Sequence, residues 1–385
     1  MKKTLFLITL GVLFSSCEPE VIIDPVPNQN KLITSDITIN TTWFSDTVYQ
    51  LGGRITVEDG ATLTIQPGTI IKGEAGTGAN ATALLIARGG KIIADGTPQL
   101  PIIFTSIADE ITPEMINQGN FISPNLDPTV NGLWGGLIVL GNARISASNT
   151  AGDVSSVQIE GIPTSDPSGL YGGTNDEDNS GVIRYVSIRH GGANIGSGNE
   201  INGLTLGGVG RGTTVENIEI VANQDDGVEW FGGTVNTTNL VVWNVYDDAV
   251  DTDQSWAGTL ENFVIISPAG HCFELDGPEG GYAQGHIIKN GDVIASADLD
   301  AQDIINVDQN SIVELKDITF FSVLESQKIN RVTAPDVTFE NILIDATDVS
   351  LHVNGTVPTG VSSGSTLKSN RSVFTWTWAS QANKL

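Results

Sequence analysis

The sequence predicts an all-β protein, an elongated solenoid of stacked parallel strands, and three observations carry that reading. One phrase is written three times in a row: NQDDGVEW ends at Trp230, YDDAVDT at Thr252 and GHCFEL at Leu275, so Glu229, Asp251 and Glu274 recur after 22 and then 23 residues. A second phrase shares the period, as ENIEI (216–220), TNLVV (238–242) and ENFVI (261–265), and continues as GDVIA (291–295), KDITF (316–320) and ENILI (340–344). The third observation is negative: 385 residues with 44 glycines show hardly any helical periodicity.

In each second phrase a polar residue precedes two apolar ones separated by one, the alternation of a strand with one face in and one out. Two short strands per period, joined by Gly, Asn and Asp turns, make a coil of a solenoid. Each strand then stacks on its counterpart about 4.8 Å away. This alignment predicts one inward column of Ile218, Leu240, Phe263, Val293, Ile318 and Ile342, and a second of Ile220, Val242, Ile265, Ala295, Phe320 and Ile344. The polar residues ahead of them, from Asn239 through Asn262, Asp292, Asp317 and Asn341, are expected at corners, where such side chains tolerate a left-handed backbone.

In chain order, residues 1–17 read as an export signal, with Lys2 and Lys3 before an apolar run from Leu5 to Phe14. Ser15, Ser16 and Cys17 resemble the lipobox of bacterial lipoproteins, which implies acylation of Cys17 and a lipid anchor in the membrane. Glu18 and Glu20 resemble the acidic cue that sends Bacteroidota-type lipoproteins to the outer face of the outer membrane. Residues 18–31, rich in Pro, Asn and Asp, are expected to be a tether with nothing to bury. The solenoid is expected to occupy residues 32–385.

RITVEDGATLTIQPGTIIKG (54–73) and ALLIARGGKIIADGTPQLPIIFTS (83–106) alternate Ile, Val, Leu and Thr between tight Gly turns, and form the opening coils. Together with LWGGLIVLGNARIS (133–146), YGGTNDEDNSGVIRYVSIRHGG (171–192) and FTWTWAS (374–380), they resemble a family of Bacteroidota surface or secreted proteins. The resemblance covers nearly the whole chain after Leu32 and implies a right-handed parallel β-helix of the pectin-lyase-like superfamily. Residues 107–131 and 147–180 read as loop insertions, the second ending in the acidic run TNDEDNS, which is either solvated or a calcium ligand. Trp376 and Trp378 are expected in a C-terminal cap over the last open core.

Composition narrows the function. A formal charge of −27, from 45 acidic and 18 basic residues, excludes a nucleic-acid footprint and disfavours anionic polymers unless cations bridge them. Two cysteines leave no disulfide framework, and Cys272, aligned with Gly227 and Ala249, is expected to be a small buried residue. Between Arg211 and Lys289 there is no Lys or Arg, so the Glu229, Asp251, Glu274 column and the Asp225–Asp226 and Asp247–Asp248 pairs must be offset by solvent, backbone N–H groups, protons or a cation.

Four readings stay open. The aspartates are corner residues bonding the backbone; or Asp225, Asp248, Asp251 and Glu274 hold Ca²⁺; or Glu229, Asp251, Asp253, Trp256, Glu274 and Asp276 bind a polysaccharide or a surface protein, with Trp256 the exposed aromatic. Finally, QDDGVEW, YDDAVD and GHC resemble the site of polygalacturonase-type β-helix glycosidases. That resemblance implies inverting hydrolysis by Asp226, Asp247, Asp248 and His271. The sequence has GHC where that site has GHG, and only HIIK, ending at Lys289, where it has a basic RIK. The combined expectation is a cell-surface lipoprotein whose acidic face binds glycan or cation without catalysis, with a polysaccharide hydrolase and a purely structural solenoid as alternatives.

Overall fold

The structure, a computed structural model, describes residues 29–194 and 201–385; the expected export signal, Cys17 and the expected tether up to residue 28 lie outside the described residues. The first strand, Gln29–Ile33, begins inside the expected tether, in parallel register with Thr47–Leu51.

The chain winds as a parallel β-helix. One face is an 8-stranded parallel sheet that includes Leu137–Leu140, Leu204–Gly207, Val228–Phe231, Val250–Asp253, Glu274–Leu275 and Asn306–Val307. The remaining wall is a 15-stranded sheet, in which Thr214–Val221, Thr237–Trp243, Thr259–Ile266, His286–Ile294, Ile312–Phe321 and Asp336–Ile344 are stacked neighbours. Each of these longer strands bends at one left-handed residue, Asn217, Asn239, Asn262, Asn290, Asp317 or Asn341, with φ between 51° and 62°. The bend turns one strand around a corner of the coil. The amide side chains also bond along the axis: Asn239 Nδ2 donates to Asn217 Oδ1 (3.1 Å) and Asn262 Nδ2 to Asn239 Oδ1 (2.6 Å).

The corner residue of one coil is Asn290, not Asp292, and the inward columns shift there by two residues. Phe263 stacks on Gly291, while Val293 pairs with Ile265 and with Phe320. A slip of two keeps every side chain on its face, so Val293 and Ala295 are still buried. The reason is volume. A Cβ on Gly291 would lie 2.0 Å from the Phe263 ring, so the ring takes the space of the side chain absent one coil on.

The C-terminal segment does not cap the open end of the helix. It runs back along the outer face of the larger sheet, across successive coils, as a lateral clasp. Lys368 N and Arg371 Nε donate to Asp292, Asn370 N donates to Asn262 Oδ1 (2.6 Å), and Ala379 N donates to Glu219 Oε1 (2.9 Å). Phe374 and Trp378 close over Val221, Trp243, Val264 and Ile266, and Trp376 packs with Val48, Ile70 and Ile103. Beneath the clasp Arg189 and Glu219 form a fully buried ion pair (3.5 Å), with Arg189 against the Trp378 ring. Tertiary packing decides this course, since outward apolar residues such as Val241 and Val264 need a cover as much as the end of the lumen does.

Gly291→Ala is expected to lower the unfolding free energy by about 1–3 kcal/mol through overpacking against Phe263. Thermal unfolding followed by circular dichroism checks this, and a melting temperature unchanged from the parent would remove the volume argument.

Candidate functional site: an acid column on the outside of the smaller sheet

The outward face of the 8-stranded sheet carries one column in strict register: Leu85, Ile138, Thr205, Glu229, Asp251, Glu274 and Asn306. It begins apolar and becomes acidic. The apolar part lies under the insertion at 147–180, whose Ile159, Ile162 and Tyr171 pack with Leu85, Ile138 and Leu140. Residues just before the insertion hold down its acidic run: Arg144 Nε donates to Asp176 Oδ2 (2.9 Å) and Asn142 N to Asp178 Oδ2 (3.1 Å), so these carboxylates are loop anchors.

Just before the strands of this sheet a second column holds Asp226, Asp248, His271 and Asp303. Asp226 Oδ1 accepts from the backbone N–H of Asp248 (2.9 Å), Asp248 Oδ1 accepts from His271 N–H, and Asp303 Oδ1 accepts from Lys328 N–H (2.7 Å). Each carboxylate therefore ties its corner to the next coil. Asp226 is only 7 % exposed, which removes it from the surface. Asp247 is exposed, and Asp248 meets the imidazole of His271 (Oδ1 to Nδ1, 3.0 Å).

The residues expected to share one ion fall into three adjacent groups, each with ligand atoms within 4.8 Å: Asp225, Asp226 and Asp247; Asp226, Glu229 and Asp251; and Asp248, His271 and Glu274. The four carboxylates Asp225, Asp248, Asp251 and Glu274 are thus not one site. The reason is the two-column geometry, which separates corner aspartates from strand acids. Among the expected binding residues Glu229 is buried, whereas Asp251, Asp253, Glu274 and Asp276 are half-buried.

Trp256 is not exposed. It is 1 % accessible, stacks on Trp230 with centroids 4.6 Å apart, and donates from Nε1 to Val235 O (2.9 Å). Two consecutive left-handed residues, Gln254 and Ser255, turn the chain so that the ring re-enters the lumen. Of the aromatics expected beside the acids, Tyr246 is the exposed one, at 40 %.

Two residues of the site were missed. Asn202 stands one coil above Asp226 and donates from Nδ2 to Glu229 Oε2; Gln302 Nε2 lies 3.3 Å from His271 Nε2. The signal for Asn202 was present, because NGLTL at 202–206 aligns with DGVEW at 226–230. Nothing local marks Gln302.

Crowding and burial act together on these acids. Two charges 4.8 Å apart repel by about 3.5 kcal/mol at an effective dielectric of 20. Burial first, and neighbouring carboxylates second, hold Asp226, Glu229 and Asp251 well above the usual carboxylate range. Asp253 is pushed up to about 7 and Asp276 to about 6, again chiefly by burial. Glu274 rises to about 8, first because it hydrogen-bonds to Asp248 as a neutral carboxyl and then through burial. Burial works against the Asp248 anion, but its hydrogen bonds from His271 and Glu274 outweigh that and hold it below its ordinary value. The same pairing raises His271 against the effect of its burial.

Carboxyls with raised folded-state values bind protons more tightly folded than unfolded, so their stabilisation is complete below about pH 4 and lost as pH rises through about 6, 7 and 8. In chelator-containing buffer the melting temperature is expected to fall steadily from about pH 5 to about pH 9. Asp253→Asn should flatten the part of that decline near pH 7. Calorimetric melts across this range check both statements, and a rising profile would contradict them.

Residues 35–381 match the model of a family described as a pectate-lyase-like beta helix domain. No curated protein and no solved structure matches the chain. The match spans most of the sequence and agrees with the parallel coils described above: the chain belongs to the pectate-lyase-like beta helix domain family.

Proposed function

We propose that this protein binds a neutral polysaccharide along the acidic side of its β-helix without cleaving it. The observation that carries the reading is Tyr246, 40 % exposed on the corner turn between Trp243 and the Asp247–Asp248 pair. Its ring offers an apolar face to sugar C–H groups, and the exposed Gln224 and Asp247 offer partners for hydroxyls. Around the corner from Tyr246, on the outer face of the larger sheet, lies a separate groove of about 780 Å³ lined among others by Pro124, Asp127, Trp243, Asp298 and Lys384. The absence of Lys and Arg between Arg211 and Lys289 favours neutral over anionic glycans. Burial of Asp226, with its Oδ1 bonded to the Asp248 N–H, speaks against the polygalacturonase-like set. The export signal ending at Cys17 is consistent with display on an outer-membrane surface through a lipid anchor.

One observation favours a hydrolase as second reading: Glu274, raised to about 8, stands against Asp248, held low, beside His271. Such a split supplies a general acid and a general base.

Affinity electrophoresis against neutral and anionic polysaccharides tests the proposal. Retardation by a neutral polymer is expected, and Tyr246→Ala should weaken it roughly tenfold, the order of one aromatic contact. Reducing sugar released by the parent and lost in Asp248→Asn would replace the binding reading with hydrolysis. Metabolic labelling with palmitate, lost in Cys17→Ala, is expected for the anchored form.

A further inference from the structure

The outward face of the larger sheet carries a column in register: Ser187, Glu219, Val241, Val264, Asp292 and Thr319. The C-terminal clasp lies along this column and bonds to it at intervals. Thr319 Oγ1 donates to Thr366 O (2.6 Å), Asp292 accepts from Lys368 N (2.8 Å) and Arg371 Nε (3.0 Å), and Glu219 accepts from Ala379 N (2.9 Å). Between these points Phe374 and Trp378 cover Val241 and Val264. Past Glu219, Trp378 meets His190 (ring centroids 5.6 Å apart) and Trp376 meets Tyr185 (5.5 Å). Gln381 bonds there to Gly119 O and Phe121 N. One short segment thus spans the larger sheet from Gly181–Arg189 to Ile312–Phe321.

The smaller sheet meanwhile thins along the axis. Its strands run four residues at Val228–Phe231 and Val250–Asp253, but two at Glu274–Leu275 and at Asn306–Val307. After those come single bridges, Ile305 to Ile329 and Ile329 to Val353. The later coils therefore hang chiefly on the larger sheet, the wall that the clasp follows. Coils of a solenoid touch only their neighbours, so a thinned stretch is where one end opens without the other.

The bed of the clasp is also polar in places where an apolar seal would suffice. Glu219 and Asp292 are fully buried beneath it, the first on a fully paired coil and the second on a thinly paired one. Arg189 completes the set, donating from Nε to Ser187 Oγ (2.7 Å) and from Nη1 to Phe121 O (2.6 Å). Buried ion pairs add little net stability, and their best-attested use is to fix registry. When the clasp lifts, both carboxylates regain water, so release strands no buried charge. The chain enters the clasp through the mostly exposed, Ser-rich run 362–367, which leaves it free to lift.

We infer that the C-terminal segment is a latch along the helix axis. Docked, it makes the early and late coils open as one unit; lifted, it frees the coils after Ser267 to open alone. The property belongs to the scaffold and is independent of any ligand on the acidic side.

Amide hydrogen exchange of the full chain, followed by mass spectrometry, tests the latch. In the parent the late strands Ile312–Phe321 and Asp336–Ile344 are expected to be as protected as Thr214–Val221. In Trp378→Ala they should exchange at least about tenfold faster than Thr214–Val221. The ring contacts of Trp378 are with Arg189, His190 and Trp243, all on earlier coils, so a merely local effect would appear in Gly181–Arg189 and Thr237–Trp243 instead. A rise confined to those two strands overturns the inference, as does an equal rise in every strand or none at all. Late strands that already exchange faster than Thr214–Val221 in the parent overturn it too. If Trp378→Ala does not fold, Gln381→Ala removes only the two bonds to the 119–121 turn and is expected to give a smaller rise in the same late strands. The same outcomes then decide.

Discussion

Parallel, in-register stacking places each side chain about 4.8 Å from its counterpart in the next coil, and the rest of this molecule answers to that constraint. Whatever chemistry one position holds is multiplied along a column. At the corner the multiplication is favourable, because an asparagine both donates and accepts, and Asn217, Asn239 and Asn262 bond in series. On the outside of the smaller sheet it is unfavourable, because Glu229, Asp251 and Glu274 can only accept while ionised. The fold thus concentrates negative charge where a compact domain would disperse it.

The two responses to that charge occupy neighbouring places. Corner aspartates give their oxygens to backbone N–H groups of the next coil, which turns a repulsive series into coil-to-coil ties. Strand acids have no such donors in reach, and raised proton affinity is the result. His271 joins the two columns, since it extends the corner series and faces Glu274 of the strand series. Membership of the pectate-lyase-like beta helix domain family describes the scaffold that makes this possible, and chemistry still rests on which side chains occupy the face.

Coverage is the second constraint. A solenoid exposes the outer faces of its sheets along its whole length, and large apolar stretches here are covered by the insertions and by the C-terminal segment. The insertion at 147–180 seals the apolar start of the acid column, and the C-terminal clasp seals the outer face around Trp243 and Glu219. What stays open includes Tyr246 and Asp247, on a stretch of chain that carries no Lys or Arg from residue 212 to 288.

The coils, their period and the acid column were legible in the sequence, because a repeat that must match its neighbour at every turn writes its register into the spacing of like residues. Asn202 was legible in the same way, through NGLTL above DGVEW, though the eye passes over it once the acids end. The two-residue shift at Asn290 was not, since Phe263 and Gly291 exchange volume between coils and keep the alternation intact. Nor were the burial of Trp256, the grouping of the acids into three clusters, and the course of the C-terminal segment. Those depend on left-handed turns and on contacts between distant segments, because local periodicity records which face a residue takes but not what comes to cover it.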